Sequence, residues 1–416
     1  MTGCVFSASL DELEESPSPN NTTNNVANNT TSTNNASNNS TNNATNNVTN
    51  NQTTALDCSA LETVLDDRQM PTPLRQGGLQ LDWRGGNLIM MADYNDDFVI
   101  MAVDEETSYR IPAISAPKPA LTLTDYSKSF DIALLNTDPM RFLIAESRTA
   151  ELRMYSCTEG EGPGQARCIL LSTEAISADE DIQAAFVPGN PPGVMVGHSF
   201  KGTDVSDRRE YSSHAVILET PVRVVPGNVA TKIEGRDVLG VDFTHVTGTN
   251  SQFRVAGGAL GGTGFFRYES DGTIVGPPSC GSLDSVLLTP YKVKTQHESP
   301  KVLFRSGRGL MLTDCQVGPG DPFTTKTIWD FDFVPVQDGE VVTWIDGDFA
   351  RTAVRGAVVV GNITTKLTFR DGDPVHHYVR MGKVGEKVVI VFGGAIEGLT
   401  MIRGTVDELI ECYPAP

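Results

Sequence analysis

The chain has 416 residues, 39% of them hydrophobic, and 52 acidic against 32 basic side chains give it a formal charge of −20. Such an acidic excess repels phosphate and excludes a nucleic-acid partner. No apolar run reaches the roughly 18 residues of a membrane-spanning helix, and the length allows two or three domains or one large repeat architecture.

The first 19 residues carry Cys4, a cluster of four carboxylates (Asp11, Glu12, Glu14, Glu15) and a Ser/Pro stretch ending at Pro19. Residues 20–55 are built almost wholly from Asn, Thr, Ser and Ala, with Asn pairs recurring every four residues apart from one six-residue step, and Val26 and Val48 as the sole large apolar residues among them. Such a segment cannot bury enough surface to offset the entropy of ordering, so it is expected to be a disordered tether. A flexible coil of this length spans roughly 30–35 Å. Asn-x-Thr/Ser triplets such as Asn21–Thr23 follow from the composition and are weak evidence for glycosylation in a secretory pathway.

Met1, Thr2, Gly3 and Cys4, followed by an acidic Ser/Pro stretch and a polar tether, resemble the end of a bacterial lipoprotein signal. Leu usually stands where Met1 does, and the apolar stretch of such a signal would precede the recorded start. The resemblance implies lipidation at Cys4, with two or more acyl chains holding the protein stably at a membrane. It also implies a cell-envelope location, at the outer membrane or cell surface.

From Leu79 onward a short pattern recurs: Asp, apolar, any, apolar or small, apolar. It begins at Asp131, Asp181, Asp237, Asp284 and Asp330, with steps of 50, 56, 47 and 46 residues. A looser copy starts at Asp373, and Leu79–Trp83 occupies the place one step before Asp131. Each copy is followed by two more apolar runs, for example Phe142–Ala145 and Leu152–Tyr155, or Val388–Phe392 and Leu399–Ile402. Short runs rich in Val, Ile, Phe and Tyr between turn residues read as strands. Short helices are expected only at Leu56–Val64 and Val406–Glu411. Three or four strands in about 48 residues, repeated seven times, fill the chain to its end and resemble an all-β, seven-bladed β-propeller over 56–416. A six-bladed ring with one irregular unit and two stacked β-sandwiches are the alternatives. No Trp-Asp or kelch-type signature recurs.

Setting Cys4 aside leaves six cysteines, which allow 15 pairings. Position narrows them. Cys157 and Cys168 would face each other across a hairpin, and Cys280 and Cys315 bracket one repeat unit. Cys58 and Cys412 flank the domain and would latch a circular fold, so an oxidising compartment is expected.

Searching for chemistry assigns no catalytic residue, no metal ligand and no cofactor. His376 and His377 would point to opposite faces of a strand and could not share a metal. Gly257–Gly264 leads into a strand, as a hairpin does and a phosphate loop does not. Asp346–Asp348 and Asp371–Asp373 lack the spacing of a calcium loop and read as turns. The repeated Asp residues cap turns through their own backbone, or else form an acidic ring at a channel mouth. These readings favour a non-catalytic binding or scaffolding module with a protein or glycan ligand in the cell envelope. The alternatives are a glycan-active hydrolase or lyase with carboxylates at the channel mouth, and a purely structural surface protein.

Overall fold

The computed structural model describes residues 56–65, 74–94, 97–103, 108–111, 130–137, 139–146, 151–159, 166–175, 182–187, 193–201, 209–217, 223–224, 238–245, 253–259, 262–268, 292–296, 299, 301–306, 309–313, 321–348, 351–372, 376–393 and 398–416. After a single 3₁₀ turn at Cys58–Leu61 comes β1 (Glu62–Leu65). Blade 1 holds β2 (Leu74–Arg84), β3 (Asn87–Tyr94), β4 (Asp97–Val103) and β5 (Ser108–Ile111). Blade 2 holds β6 (Phe130–Thr137), β7 (Met140–Glu146), β8 (Glu151–Glu159) and β9 (Ala166–Ala175). Blade 3 holds β10 (Ile182–Val187), β11 (Gly193–Lys201), β12 (Arg209–Ile217) and β13 (Arg223–Val224). Blade 4 holds β14 (Val238–His245), β15 (Phe253–Ala259) and β16 (Gly262–Tyr268), and blade 5 holds β17 (Lys292–Thr295), β18 (Val302–Ser306) and β19 (Gly309–Thr313). Blade 6 holds β20 (Ile328–Val336), β21 (Gly339–Gly347), β22 (Thr352–Val360) and β23 (Ile363–Arg370). Blade 7 combines β24 (Tyr378–Val384), β25 (Lys387–Gly393) and β26 (Leu399–Gly404) with β1, and α1 (Val406–Cys412) follows.

Every pairing is antiparallel. The first strand of each sheet lies against the first strand of the next. The order runs β2, β6, β10, β14, β17, β20, β24 and back to β2. Seven sheets around a closed ring of inner strands make a seven-bladed β-propeller.

The apolar runs are continuous, not alternating, because both faces of a blade are buried. Along β3, Leu88 and Met90 pack toward blade 7, while Ile89 and Met91 pack against Phe130, Ile132 and Phe142 of blade 2. In β7, Phe142 and Ile144 face blade 1, and Leu143 and Ala145 face Ile182 and Val194 of blade 3. Successive strand residues point to opposite faces, so a strand wedged between two neighbours needs apolar residues at consecutive positions. Gly85 and Gly86 both have positive φ (53° and 81°) and form the two-residue turn between β2 and β3. A turn of that hand requires glycine-like conformations at both central positions. Gly382 of β24 lets blade 1 approach closely: a Cβ there would lie 2.7 Å from both Leu81 and Leu88.

One expectation is corrected. The segment Leu56–Val64 is not a helix beyond its 3₁₀ turn. Its second half is β1, which pairs Glu62 with Ile402 and Leu65 with Leu399 to supply the outer strand of blade 7. The run beginning at Asp284 lies outside the described residues; among these, the strand of blade 5 that lies against β14 and β20 is Lys292–Thr295. The helix expected at Val406–Glu411 is present as α1. Its N-terminus is closed by a capping box in which Thr405 and Glu408 each accept the other's amide.

Ring closure has four parts. β1 zips onto β26, and the Cys58–Cys412 disulfide joins the segments flanking the ring with a Cα–Cα distance of 5.4 Å. Beyond α1, Thr368 and Ala415 donate to the carbonyls of Tyr413 and Lys366, so the C-terminal tail adds itself to the outer edge of β23 in blade 6. Glu62 of β1 and Arg370 of β23 form an ion pair across the same seam. The bridge closes a loop of 354 residues. On the chain-entropy account a loop of that size stabilises by about 5–6 kcal/mol. Cys58→Ser is therefore expected to lower unfolding stability by several kcal/mol, read as a drop in the denaturation midpoint, with the native circular dichroism spectrum retained in buffer.

Candidate functional site: the charged centre of the ring

A radial sheet leaves the amides on the inner edge of its first strand without ladder partners, and buried N–H groups need acceptors. Aspartates on the preceding blade supply them. Asp82 of β2 accepts the Leu134 amide of blade 2 at 2.6 Å through Oδ2 and its own neighbour's amide, Trp83, at 2.9 Å through Oδ1. Asp131 of β6 repeats this with Ala184 of blade 3 at 2.8 Å and Ile132 at 2.9 Å. Asp332 of β20 does so again with Met381 of blade 7 at 3.0 Å and Phe333 at 2.9 Å, and also accepts from Gln296 Nε2 at 3.1 Å. Asp330, two residues earlier on the same strand face, accepts the Val379 amide at 3.1 Å and Arg380 Nη1 at 2.5 Å.

The repeated Asp is therefore not simply a turn cap. One oxygen makes the expected local bond in Asp82, Asp131 and Asp332, while the other ties its blade to the next. Asp181, Asp237 and Asp284 lie outside the described residues. Asp82 and Asp332 were not distinguishable in the sequence as functional positions. Asp82 sat inside Leu79–Trp83, and Asp332 was the second acid of the Asp330 run.

Arg380 of β24 is the hub of the cluster. It donates to Asp330 of blade 6, to the Val379 carbonyl, and through Nε to Gln80 Oε1 of blade 1 at 3.3 Å. Burial alone would lower its pKa, but Asp330, Asp332 and, farther off, Asp131 outweigh that and hold the guanidinium more firmly charged. Burial raises the pKa of Asp82, against Arg84 and the amides of Leu134 and Trp83. Arg84 extends the ties to three blades. Its Nε donates to the Leu134 carbonyl at 3.1 Å, and its guanidinium stacks 3.7 Å from the Phe186 ring centroid of blade 3.

Two carboxylates and an arginine thus converge as an acid–base site would require. However, Asp330, Asp332 and Arg380 are 2%, 3% and 8% exposed. Each carboxylate accepts backbone amides of blade 7. A carboxylate fixed by two or more donors is a rigid acceptor. The arrangement clamps blades together.

The other sequence candidates are placed as follows. Cys157 and Cys168 are directly opposed on β8 and β9 and are disulfide-bonded, with a Cα–Cα distance of 4.0 Å. Cys4, Cys280 and Cys315 lie outside the described residues. Within the run Gly257–Gly264, Gly257, Gly258 and Ala259 of β15 pair antiparallel with Gly264, Thr263 and Gly262 of β16. Asp346 accepts from Trp344 Nε1 at 2.9 Å, Asp348 accepts the Arg351 amide at 2.8 Å, and Asp371 pairs with Arg355 at 3.0 Å. Among the described residues no group of His, Cys, Asp and Glu could hold a metal ion, and no helix is long and apolar enough to cross a membrane.

His376 and His377 pack on different partners. His377 stands edge-on to Trp329, and His376 edge-on to Phe392. His376 is 4% exposed, and neither ring nitrogen has a hydrogen-bond partner. Burial, then the Arg370 charge and His377, lower its pKa from 6.5 to about 4.

Two outcomes follow from this geometry. Asp330→Ala leaves the Arg380 charge buried with its main partner removed and is expected to cost about 3–5 kcal/mol in urea unfolding. The native state also binds a proton at His376 less readily than the unfolded chain. Stability should therefore fall as pH drops below about 6.5 and level off near pH 4, by about 2–3 kcal/mol in all. His376→Phe should remove that part of the acid sensitivity, measured as unfolding free energy across a pH series.

No protein-family model matches the sequence, and no curated protein does. The fold has counterparts among solved structures. Chaetomium thermophilum Sqt1, bound to the N-terminus of the ribosomal protein L10, is 13% identical over 80% of this chain and 98% of its own, with a TM-score of 0.43. The fucose-specific lectin from Aleuria aurantia is 10% identical over 73% of this chain and 99% of its own, with a TM-score of 0.44. Virginiamycin B lyase from Staphylococcus aureus is 9% identical over 82% of this chain and 97% of its own, with a TM-score of 0.44.

Proposed function

We propose that the protein is a membrane-anchored extracytoplasmic lipoprotein whose propeller is a non-catalytic binding or scaffolding platform. Its partner is a protein or glycan of the cell envelope. The observation that carries this reading is the engagement of the central carboxylates: Asp82, Asp131, Asp330 and Asp332 each accept an amide of the following blade. This favours a rigid ring whose loops and rim are the surfaces left for recognition. The two disulfides support an oxidising compartment. In this reading Cys4 carries the lipid, and residues 20–55 give the ring its reach from the membrane.

The convergence of Asp330, Asp332 and Arg380 favours a second reading, a glycan-active hydrolase or lyase. That reading needs turnover of a polysaccharide that Asp330→Asn abolishes while polysaccharide binding persists.

Intact mass of the native protein, with and without reductant, tests the leading reading. A diacylglyceryl increment on the N-terminal peptide and two hydrogens gained per bridge on reduction are expected. An unmodified, fully reduced chain would overturn both the anchor and the compartment.

A further inference from the structure

The outer edges of the blades are not alike. β1 and β5 have four residues each and β13 has two, while the edge of β23 is occupied by the chain's own C-terminal tail. The outer strand of blade 2, β9, runs for ten residues, and among the described residues its ladder partner is β8 alone. It also carries adjacent exposed apolar side chains: Ile169 at 56%, Leu170 at 52% and Leu171 at 41%. A long, apolar, unpaired edge is a template for another strand.

The sequence of β9 says which strand. Read against itself in antiparallel register about a two-fold axis between Leu170 and Leu171, Ala166 meets Ala175 and Arg167 meets Glu174. Cys168 then meets Thr173, Ile169 meets Ser172, and Leu170 meets Leu171. The register uses the whole strand, pairs opposite charges twice, and brings four leucines to the centre. The ladder between β8 and β9 shifts at the same place. Met154 pairs with Ser172 and Tyr155 with Leu170, leaving Leu171 as the extra residue of a bulge. A bulge blunts an edge against open-ended addition. Placed on the two-fold axis, it leaves a four-residue ladder on either side. The Cys157–Cys168 bridge fastens β9 to β8 within one of those ladders, so the edge is held in shape before it pairs.

We infer that β9 is a homodimer interface, in which two copies of the chain pair their blade-2 edges antiparallel about Leu170 and Leu171. The inference is independent of the lipid anchor and of any ligand.

Sedimentation velocity of the full disulfide-bonded chain across a micromolar concentration series tests it. The wild type should show a concentration-dependent monomer–dimer equilibrium. Glu174→Arg and Arg167→Glu each set like charges opposite one another at two symmetric positions and should weaken the dimer at least about tenfold. The Arg167→Glu/Glu174→Arg double variant restores opposite charges and should return to within about threefold of wild type. Leu170→Lys, at an already exposed position, should leave the monomer's circular dichroism unchanged and abolish the dimer. A chain that stays monomeric throughout, whether its edge takes another protein's strand or none, overturns the inference. A dimer indifferent to both single reversals does the same.

Discussion

Among the described residues, the seams between blades 1 and 2, 2 and 3, and 6 and 7 rest on one interaction: a carboxylate on the inner strand of one blade accepting a backbone amide from the inner strand of the next. Hydrogen-bond ladders run within each sheet and stop at its inner edge, so nothing in the ladders fixes the distance or level between blades. The aspartates do both. Because one oxygen of Asp82, Asp131 and Asp332 is pinned to the following residue's amide, the other is aimed at the neighbouring strand. The bond therefore sets register between sheets as well as holding them. Desolvating a carboxylate is costly unless strong donors replace water. The same residues that join the blades would thus destabilise any arrangement in which the blades failed to meet.

Burial of both blade faces complements this lateral tie. Hydrophobic packing between sheets is strong but non-directional, and two flat apolar faces can slide. At the seam between blades 6 and 7, packing of Val334 and Ile345 near Val379 and Met381 supplies attraction, while Asp330, Asp332 and Arg380 supply position. His376 lies beside this seam with its amide on Thr352 of blade 6 and its ring on Phe392 of blade 7. It serves there as a neutral, aromatic filler.

Much of the architecture was legible because a strand buried on two faces announces itself as an unbroken apolar run. Phe142–Ala145 and Val388–Phe392 could be found without knowing their neighbours. The spacing near fifty residues was legible for the same reason, as were the Cys157–Cys168 and Cys58–Cys412 pairs, whose positions relative to runs and domain ends made geometric sense. What escaped was whatever depends on a partner distant in sequence. β1 is too short to show a pattern, and its strand character is imposed by β26 at the other end of the chain. The strand of blade 5 that lies against β14 and β20 has the modest sequence Lys292–Thr295 and is selected by those neighbours, not by its own composition. The aspartates were visible as a repeat, but their acceptor role required the next blade to be in place.

The Cys58–Cys412 bridge has a mechanical consequence. Without the bridge, a pull applied through the N-terminal segment would load the four residue pairs that hold β1 to β26. Cys58 precedes β1, so the tension is diverted across the covalent bond into Cys412, at the end of α1, before it can reach the strand. The strand that closes the ring is thereby shielded from any drag on the segment that leads into it.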